Sequence, residues 1–416
     1  MARLVLRNIR IFDGYSDKLI EGQQICIDGD TIASIEPLAE AVPDDPGAEV
    51  IDCGGRVAMP GMIDAHVHAY VSGIGLSTFD RPMSYHAQHG AVFLRHILRC
   101  GFTTVRDAGG ADVGIATALK EKLIEGPRLF YSGHIISQTG GHGDPRSAFK
   151  EGLTECCGCG FGHVNHLSVV VDGADRVMAA VREEFRRGAS FIKIMGSGGV
   201  SSPNDPIDRC QFSDAEVSAA VEEANRWGHY VAAHCHPAEG IKRLLRLGVR
   251  SVEHGTLIDR EGADLSVQQN AFIVPTMATI FALLDDGPTL GMSPASYDKL
   301  QVVAEQALSG LQLMRDAGVQ MGFGTDLLGP LYKKQGTEFT LRARVLSNLD
   351  ILRSACSVNA ALLGEEGRLG CIAPGAVADI LLVDGDPLAD IAVLARPEGE
   401  GIAGIIQDGA FVKRGF

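Results

Sequence analysis

The chain has 416 residues, of which 45% are hydrophobic and 51 are glycine, and its formal net charge is −15. That length allows one large domain and a smaller one, whereas the negative charge would repel nucleic acid and anionic membranes as partners. No apolar stretch approaches the roughly 18–20 residues that a membrane span needs.

The ten cysteines are scattered without a framework pattern, which predicts free and mostly buried thiols in a reducing compartment. The group Cys156, Cys157 and Cys159 lacks the second pair of a zinc site and is predicted to be a loop with incidental thiols. Met1-Ala2-Arg3 leads straight into strand-like residues. We therefore expect no signal peptide in this chain and a cytoplasmic protein, while a cleaved peptide stays open.

Both ends of the chain alternate short β-rich runs with turns. These runs lie at 4–12, 24–30, 50–52, 379–383 and 404–409. Asp-Gly pairs between such runs are typical of hairpins. We predict that residues 1–57 and 368–416 form one small β-sandwich domain, which residues 58–367 interrupt.

The middle of the chain repeats a strand-length apolar run followed by a helix-length segment. Eight such runs lie at 57–68, 102–107, 129–133, 191–195, 230–234, 251–254, 272–276 and 319–326. Between them, Ser213 and Glu216 form a capping box, and Gly188 and Gly248 end two helical patterns. Eight strand–helix units predict an α/β fold, a (β/α)8 TIM-type barrel over 58–367.

Residues that can ligate metals follow the ends of several runs. His66 and His68 lie two residues apart, so on a strand both side chains point to one face. In chain order the full set is His66, His68, Lys193, His234, His254 and Asp326. Each has an ordinary structural interpretation when taken alone. Because chemistry in such barrels lies at the carboxyl ends of the strands, the joint pattern predicts a metal site.

Lys193 differs from the rest because an ammonium group donates hydrogen bonds and does not coordinate a cation. A lysine held in an apolar strand among cations should lose its proton readily. The neutral amine can then capture carbon dioxide as a carbamate whose two oxygens bridge two metal ions. The alternative is a strand-end salt bridge, which the four histidines disfavour.

At these residues the sequence resembles the amidohydrolase superfamily of metal-dependent hydrolases over nearly its whole length. The matching segments are 60–68, 192–194, 231–234, 253–256, 324–326 and 374–380. The resemblance implies two divalent metal ions, with zinc as the expected identity and manganese or cobalt also suited to these ligands. It makes His66 and His68 ligands of one ion, His234 and His254 ligands of the other, carboxylated Lys193 their bridge, and Asp326 a ligand that doubles as the general base.

A finer resemblance is to the Xaa-Pro dipeptidases, or prolidases, of this superfamily and to the related amidohydrolases that split ochratoxin A. It depends on segments 137–144, 197–203 and 211–213. It implies a small-molecule substrate whose amide or peptide bond is cleaved next to a free carboxylate, and a homo-oligomeric enzyme. By this resemblance His142 polarises the scissile carbonyl, and Tyr230 is a candidate for binding the substrate carboxylate.

Tyr230 and three further histidines have alternative interpretations. Tyr230 precedes His234 by four residues and so lies about 13 Å deeper, at roughly 3.3 Å per strand residue, which predicts packing below the metals unless the strand bends. His236 shares the face of His234 and is predicted to lie just above it in the loop. His163 and His166 come from a long loop and either approach the site or lie in solvent.

The loop after the seventh strand, residues 278–294, carries Ile280, Phe281, Leu283, Leu284 and Leu290. Related enzymes use this loop to shape the pocket for the residue that bears the carboxylate, which implies an apolar C-terminal residue such as proline or phenylalanine. The alternative is a short helix packed on the barrel. Two other functions stay open for the whole chain: a cyclic-amide hydrolase or deaminase of the same superfamily, and a non-catalytic metal-binding scaffold.

Overall fold

The computed structural model describes residues 3–38, 47–147, 165–202 and 205–416. Two compact units are distinguished, Met1–Asp64 with His96–Thr104 and Gln335–Phe416, and Ala65–Arg95 with Val105–Lys334. The strands are β1 (Arg3–Ile11), β2 (Ile20–Asp28), β3 (Thr31–Pro37), β4 (Ala48–Pro60), β5 (Met62–Val67), β6 (Phe102–Asp107), β7 (Arg128–Tyr131), β8 (Ile135–Ser137), β9 (Ser168–Val170), β10 (Ile192–Met195), β11 (Val231–Pro237), β12 (Ser251–Leu257), β13 (Phe272–Val274), β14 (Gln320–Met321), β15 (Ile380–Val383), β16 (Ile402–Gln407) and β17 (Ala410–Arg414). The helices are α1 (Met83–Arg99), α2 (Val113–Lys120), α3 (Ala174–Arg186), α4 (Asp214–Arg226), α5 (Ala238–Arg246), α6 (Arg260–Gln268), α7 (Met277–Asp286), α8 (Pro294–Ala317), α9 (Thr337–Arg342), α10 (Asn348–Arg353) and α11 (Asn359–Leu363).

The first unit contains a seven-stranded sheet to which both ends of the chain contribute, in the order β17-β16-β15-β4-β1-β2-β3. β4 is central, because it pairs in parallel with β1 and antiparallel with β15. Ile25, Ile27, Ile380 and Leu382 alternate with other residues along their strands and are fully buried in its core. The prediction that the two ends join in one β-structure is confirmed, and the domain boundaries proposed from the sequence stay a prediction.

The parallel strands of a (β/α)8 barrel lie in the second unit, except that β5 and β6 begin in the first unit, and they confirm the predicted fold class. One sheet runs β14-β13-β12-β11-β10-β8-β9, and β5, β6 and β7 are neighbours in another. Backbone hydrogen bonds from Ala65 N to Phe323 O and from Asp326 N to His66 O, each 2.8 Å, join the first barrel strand to the eighth. The polar residues at the strand ends are thereby brought to one rim.

The third predicted run, 129–133, corresponds to β7. After a break at Gly133 the chain continues in β8, which the sequence did not predict. Gly133 has φ +73°, and a Cβ there would lie 2.0 Å from Glu184 Oε2. The carboxylate of Glu184 accepts a hydrogen bond from the backbone N–H of His134 at 3.1 Å. A glycine is needed because the buried carboxylate approaches the backbone this closely.

The helices follow the signals in the sequence. Ser213 and Glu216 form the predicted capping box at the start of α4. Helices α3 and α5 end just before Gly188 and Gly248, whose φ values are +88° and +87°. Of the described residues, no helix combines the length and the apolar character that a membrane crossing demands.

The cysteines that the structure describes are free thiols, and all but Cys210 are buried, as predicted. The group Cys156, Cys157 and Cys159 lies outside the described residues, as does His163.

Candidate functional site

His66, His68 and Asp326 converge at the end of β5. The Nε2 atoms of His66 and His68 lie 3.7 and 3.4 Å from Asp326 Oδ1. One ligand atom from each residue lies within 4.8 Å of the other two. Two imidazole nitrogens and one carboxylate oxygen at this spacing are a donor set that suits zinc and neighbouring divalent ions.

The second nitrogen of each histidine is held by an acceptor. His66 Nδ1 lies 2.6 Å from Glu253 Oε2, and His68 Nδ1 lies 2.8 Å from the carbonyl oxygen of Gly109. A carbonyl oxygen can only accept, so the proton of neutral His68 is on Nδ1. Both Nε2 lone pairs are then available on the side of Asp326, which is the tautomer that metal coordination requires.

A buried ion pair lies beneath the histidines. Arg106 Nη2 donates to both carboxylate oxygens of Glu253, at 2.7 and 2.8 Å, and Ser251 Oγ donates to Oε1 at 2.6 Å. Arg106 and Glu253 are both fully buried. Burial alone would raise the pKa of the Glu253 carboxyl, but Arg106 and the hydrogen bond from His66 hold that pKa well below its ordinary range. Glu253 is therefore a permanent anion that fixes His66.

A second group of site residues adjoins the first. The ring centroids of His234 and His254 are 4.7 Å apart, and those of His66 and His254 are 5.0 Å apart. His254 Nδ1 lies 2.7 Å from Thr276 Oγ1. Lys193 lines the same cavity, and burial lowers its pKa to about 8. The structure thus brings together all six predicted ligands, and an amine with this pKa is readily neutral.

Two of these residues adopt a backbone conformation that is rare for side chains other than glycine. His254 has φ +70° and Asp326 has φ +51°. Each such residue costs on the order of 1–3 kcal/mol and is typically found at functional sites. Close packing constrains the site as well, since a Cβ at Gly324 would lie 2.5 Å from Val274 Cγ1 and 2.8 Å from His66 Cβ.

His142 is held over this group by a loop. Its Nδ1 lies 2.6 Å from Ser202 Oγ and 3.4 Å from Asp205 Oδ2. Its ring stacks on His234 with centroids 4.3 Å apart. Lys299 on α8 stabilises this loop, because its Nζ atom donates hydrogen bonds to the carbonyl oxygens of Ser202 and Asp205, at 2.9 and 2.6 Å. His142 is therefore fixed beside His234 in the wall that the two cavities share.

Two cavities meet at this site. The larger encloses about 970 Å³, including space open to solvent, and its apolar wall includes Phe79, Ile135 and Leu167. The smaller encloses about 450 Å³ on the same basis and extends toward α7 and α8. Residues that line both are His142, Ser201, His234, His254, Asp326 and Leu328. A substrate with two different halves could place one in each cavity.

Tyr230 lies outside the walls of the two cavities. It is half-buried, its ring stacks on Phe191 with centroids 5.5 Å apart, and the guanidinium of Arg250 lies 5.6 Å from the ring centroid. Tyr230 is not among the described residues that line the two cavities. This position favours packing over contact with a substrate carboxylate.

Of the remaining histidines, His236 differs from the expected loop position, whereas His166 adopts one of its two predicted alternatives, an approach to the site. His236 belongs to β11 instead of the following loop, is buried, and lines the smaller cavity. His166 lines the larger cavity, where its ring stacks on His86 with centroids 3.9 Å apart. Both histidines are therefore parts of cavity walls.

The segment after the seventh strand begins with a helix, α7, which was the alternative to a pocket-shaping loop. Ile280 and Leu283 of this helix nonetheless line the smaller cavity. Phe281, Leu284 and Leu290 are not among the described residues of either cavity wall.

Sequence reasoning gave no role to Arg106, Glu253 or Thr276. A signal was present for the first two, because each is a charged residue inside an apolar strand, and such residues are almost never fully buried unless they are paired. The partner could not be identified, since 147 positions separate Arg106 from Glu253.

Comparisons with known proteins agree with the geometry. The sequence profile of the amidohydrolase family matches residues 57–406. An ochratoxinase of Aspergillus niger is 32% identical over 357 residues, which cover 82% of this chain and 73% of the relative. A prolidase crystallised with N-methylphosphonate-L-proline is 42% identical, with a TM-score of 0.93 and coverage of 99% and 100% of the two chains. A Xaa-Pro dipeptidase with methionine bound in its active site is 29% identical, with a TM-score of 0.86 and the same coverage.

Proposed function

The chain belongs to the amidohydrolase family, and on that premise we propose that it hydrolyses an amide or peptide bond next to a free carboxylate with the aid of two divalent metal ions. The observation that carries the proposal is the meeting of His66, His68 and Asp326 with Lys193 and two further histidines around one cavity. A dipeptide or an N-acyl amino acid is the expected substrate.

The donor set suits two ions. His66, His68 and Asp326 would hold one, and His234 and His254 the other, with carboxylated Lys193 between them. Two such ions, when bound, supply positive charge that acidifies a water molecule and polarises a carbonyl. Zinc is the proposed identity because imidazole and carboxylate ligands suit it.

The protein's own groups would move the protons. Asp326 accepts a proton from the attacking water at its carboxylate and then delivers it to the amine nitrogen that leaves. His142 donates a hydrogen bond to the carbonyl oxygen as negative charge develops there, because Ser202 and Asp205 hold its other nitrogen. The side chains of Asp326 and His142 are only 14% and 10% exposed, and this low exposure strengthens both interactions.

Relatives and cavity walls support the choice of substrate. The names of the similar proteins refer to prolidase, Xaa-Pro dipeptidase and ochratoxinase activities. In this chain Ile280 and Leu283 give the smaller cavity an apolar wall. We therefore propose an apolar C-terminal residue, such as proline or phenylalanine, in the substrate, with amides of the ochratoxin A type as a further possibility to assay.

The proposal is tested with zinc-loaded protein on a panel of dipeptides, N-acyl amino acids and ochratoxin A, with release of the amine measured by chromatography. We expect Asp326→Asn to lower kcat at least about 100-fold while the fold is retained. The exposed Asp298 provides a matched Asp298→Asn control that should keep full activity. Near-normal turnover by Asp326→Asn would show that the assigned base is wrong, and a preference for charged C-terminal residues would exclude the apolar pocket.

Metal analysis tests the two-ion scheme separately. About two divalent ions per chain are expected in active protein, and fewer would contradict the scheme. Carboxylation of Lys193 predicts a carbamate signal in the 13C NMR spectrum after reconstitution with labelled bicarbonate, which Lys193→Met should abolish. A homo-oligomeric assembly and a cytoplasmic location are further parts of the proposal, to be tested by light scattering and by cell fractionation.

A further inference from the structure

Asp107 is a buried carboxylate that the proposed mechanism does not use. It is the last residue of β6 and is fully buried. Its Oδ2 atom accepts a hydrogen bond from the backbone N–H of Ala69 at 2.7 Å. Its Oδ1 atom accepts from the backbone N–H groups of Gly109 and Ala111, at 3.0 and 3.1 Å. Because a buried carboxylate is costly unless its oxygens are satisfied, three backbone bonds to one side chain indicate that it organises the chain around it.

These hydrogen bonds act on the metal ligand His68 in two ways. Ala69, which Oδ2 of Asp107 holds, directly follows His68 in the chain, so this bond fixes the backbone just beyond the end of β5. Gly109, which Oδ1 holds, carries the carbonyl oxygen that lies 2.8 Å from His68 Nδ1. One carboxylate therefore fixes both the backbone beside His68 and the acceptor of its imidazole.

The loop that follows Asp107 has a conformation that depends on two glycines. Gly109 and Gly110 have φ +150° and +109°, values that residues with a side chain rarely adopt. A Cβ at Gly109 would lie 2.2 Å from Ile135 Cγ1 and 3.4 Å from His68 Cε1. The Gly109 carbonyl can thus approach the imidazole because no side chain fills the space between the loop and Ile135.

Glu253 has the corresponding role at His66, whose Nδ1 it holds directly at 2.6 Å. For His68 the acceptor is a backbone carbonyl, whose direction depends on the conformation of the loop that carries it. Groups that hold the second nitrogen of a ligand histidine are worth about 10- to 100-fold in metal affinity. The loop therefore needs an anchor of its own, and Asp107 is the side chain to which its backbone N–H groups donate.

We propose that Asp107 is the positioning residue of His68, a role that rests on the proposed metal-dependent hydrolysis. Its carboxylate fixes the loop over 107–111, so that the Gly109 carbonyl accepts from Nδ1–H of His68 and the Nε2 atom faces Asp326 at 3.4 Å. Asp107 contacts neither the ion nor the substrate in this scheme, and it acts only through the histidine.

Asp107→Asn tests this assignment, because asparagine has the same shape but one oxygen and one NH₂ group. Whichever way the amide turns, its NH₂ group faces a backbone N–H, either that of Ala69 or those of Gly109 and Ala111. One of the two contacts that hold His68 is then lost. Burial raises the pKa of Asp107 to about 7, so the carboxylate is ionised at about pH 8.5. At that pH, competition with a zinc chelator should show zinc affinity about 10- to 100-fold below that of wild type.

Asp112→Asn is the matched control. The Asp112 side chain also accepts from two backbone N–H groups, those of Gly114 and Ile115 at 3.0 and 3.1 Å, as the N-cap of α2. Asparagine caps a helix about as well as aspartate does. This variant should therefore bind zinc with the affinity of wild type.

A double-mutant cycle with His68→Ala separates positioning from general damage to the fold. Since Asp107 acts through His68, Asp107→Asn should change zinc affinity by less than about 2-fold in the His68→Ala background. If Asp107→Asn does not fold, Asp107→Ser, whose hydroxyl can accept one of the three bonds, is measured in its place with the same expected outcomes. Unchanged zinc affinity in the single variant, or an equal loss in both backgrounds, would overturn the positioning role while leaving the hydrolase intact. Wild-type protein that binds no zinc and cleaves no amide of the substrate panel would instead overturn the proposed function.

Discussion

Replacing Glu253 by glutamine tests whether the buried ion pair with Arg106 stabilises the fold and orients His66. The carboxylate accepts from Arg106, from Ser251 and from His66 Nδ1 at 2.6–2.8 Å, and all of these side chains are buried. Glutamine has nearly the same shape but one oxygen and one NH₂ group. Either orientation of its amide sets the NH₂ against a group that should donate, Arg106 or His66, and the charge of Arg106 loses its partner.

The size of the effect follows from this geometry. Removing one partner of a buried ion pair costs about 3–5 kcal/mol. Arg106 would keep hydrogen bonds to Ala65 O at 2.6 Å, to Ser251 Oγ at 3.3 Å and to the Tyr230 side chain, none of which carries a negative charge. We expect Glu253→Gln to destabilise the metal-free protein by about 3 kcal/mol and to weaken zinc binding about 10- to 100-fold. The contribution of Glu253 exists above the carboxyl's unfolded pKa and is lost as pH falls toward its lowered folded pKa, so the variant should lose less stability on acidification.

Urea unfolding of the metal-free protein and competition titration with a zinc chelator measure the two effects. Glu261→Gln is the control, because the Glu261 side chain is 64% exposed and its partner Lys242 also pairs with Glu239 and Asp259. The double variant Arg106→Met with Glu253→Gln should recover stability and still bind zinc weakly, since no carboxylate orients His66. A Glu253→Gln protein within about 1 kcal/mol of wild type, with unchanged zinc affinity, would refute the reasoning.

Three other substitutions have distinct expected outcomes. In metal-free protein, burial lowers the pKa of Lys193 to about 8. As pH rises from 8 to 10.5, the free energy of unfolding of wild type should therefore increase by up to about 3 kcal/mol relative to that of Lys193→Met. Urea unfolding that shows the same difference between the two proteins at every pH would contradict this. Lys299→Met should release the loop that holds His142 and lower kcat about 10- to 100-fold. A variant that cleaves the substrate of the wild-type enzyme with unchanged kcat would show that Lys299 does not position His142 for catalysis. Gly324→Ala should cost about 1–3 kcal/mol by overpacking against His66, and calorimetry that finds no loss would contradict the close contact.

The six residues that converge around the larger cavity are the part of the site that was predicted from the sequence, because their signal is local. The spacing of His66 and His68 and the position of each ligand at the end of an apolar run need no knowledge of distant contacts. The same strand rise placed Tyr230 about 13 Å below His234, and the structure favours this packing interpretation over the carboxylate role that the family resemblance suggested.

The parts that were missed depend on long-range contacts and on backbone conformation. The break in the third barrel strand follows from the approach of Glu184 to Gly133, which are distant in the sequence. His254 and Asp326 both adopt positive φ. Histidine and aspartate do so more often than most residues, but most of them still have negative φ, so the sequence alone does not identify these two positions. Whether residues 278–294 form a helix or a loop was ambiguous because the same apolar residues serve packing on one face and a cavity wall on the other.

The central position of β4 in the terminal sheet has a consequence for synthesis on the ribosome. Arg56 and Asp384 pair at 2.7 Å although 328 residues separate them in the sequence. At about 5–20 residues per second, roughly 16–65 s pass between the emergence of β4 and that of its partner β15. Val57, Ala58 and Met59 are fully buried in the finished protein, where β1 pairs with one edge of β4 and β15 with the other. Throughout that interval the edge that faces β15 has no partner strand. A chaperone that holds nascent chains should therefore raise the yield of native protein, and most strongly when translation is slow.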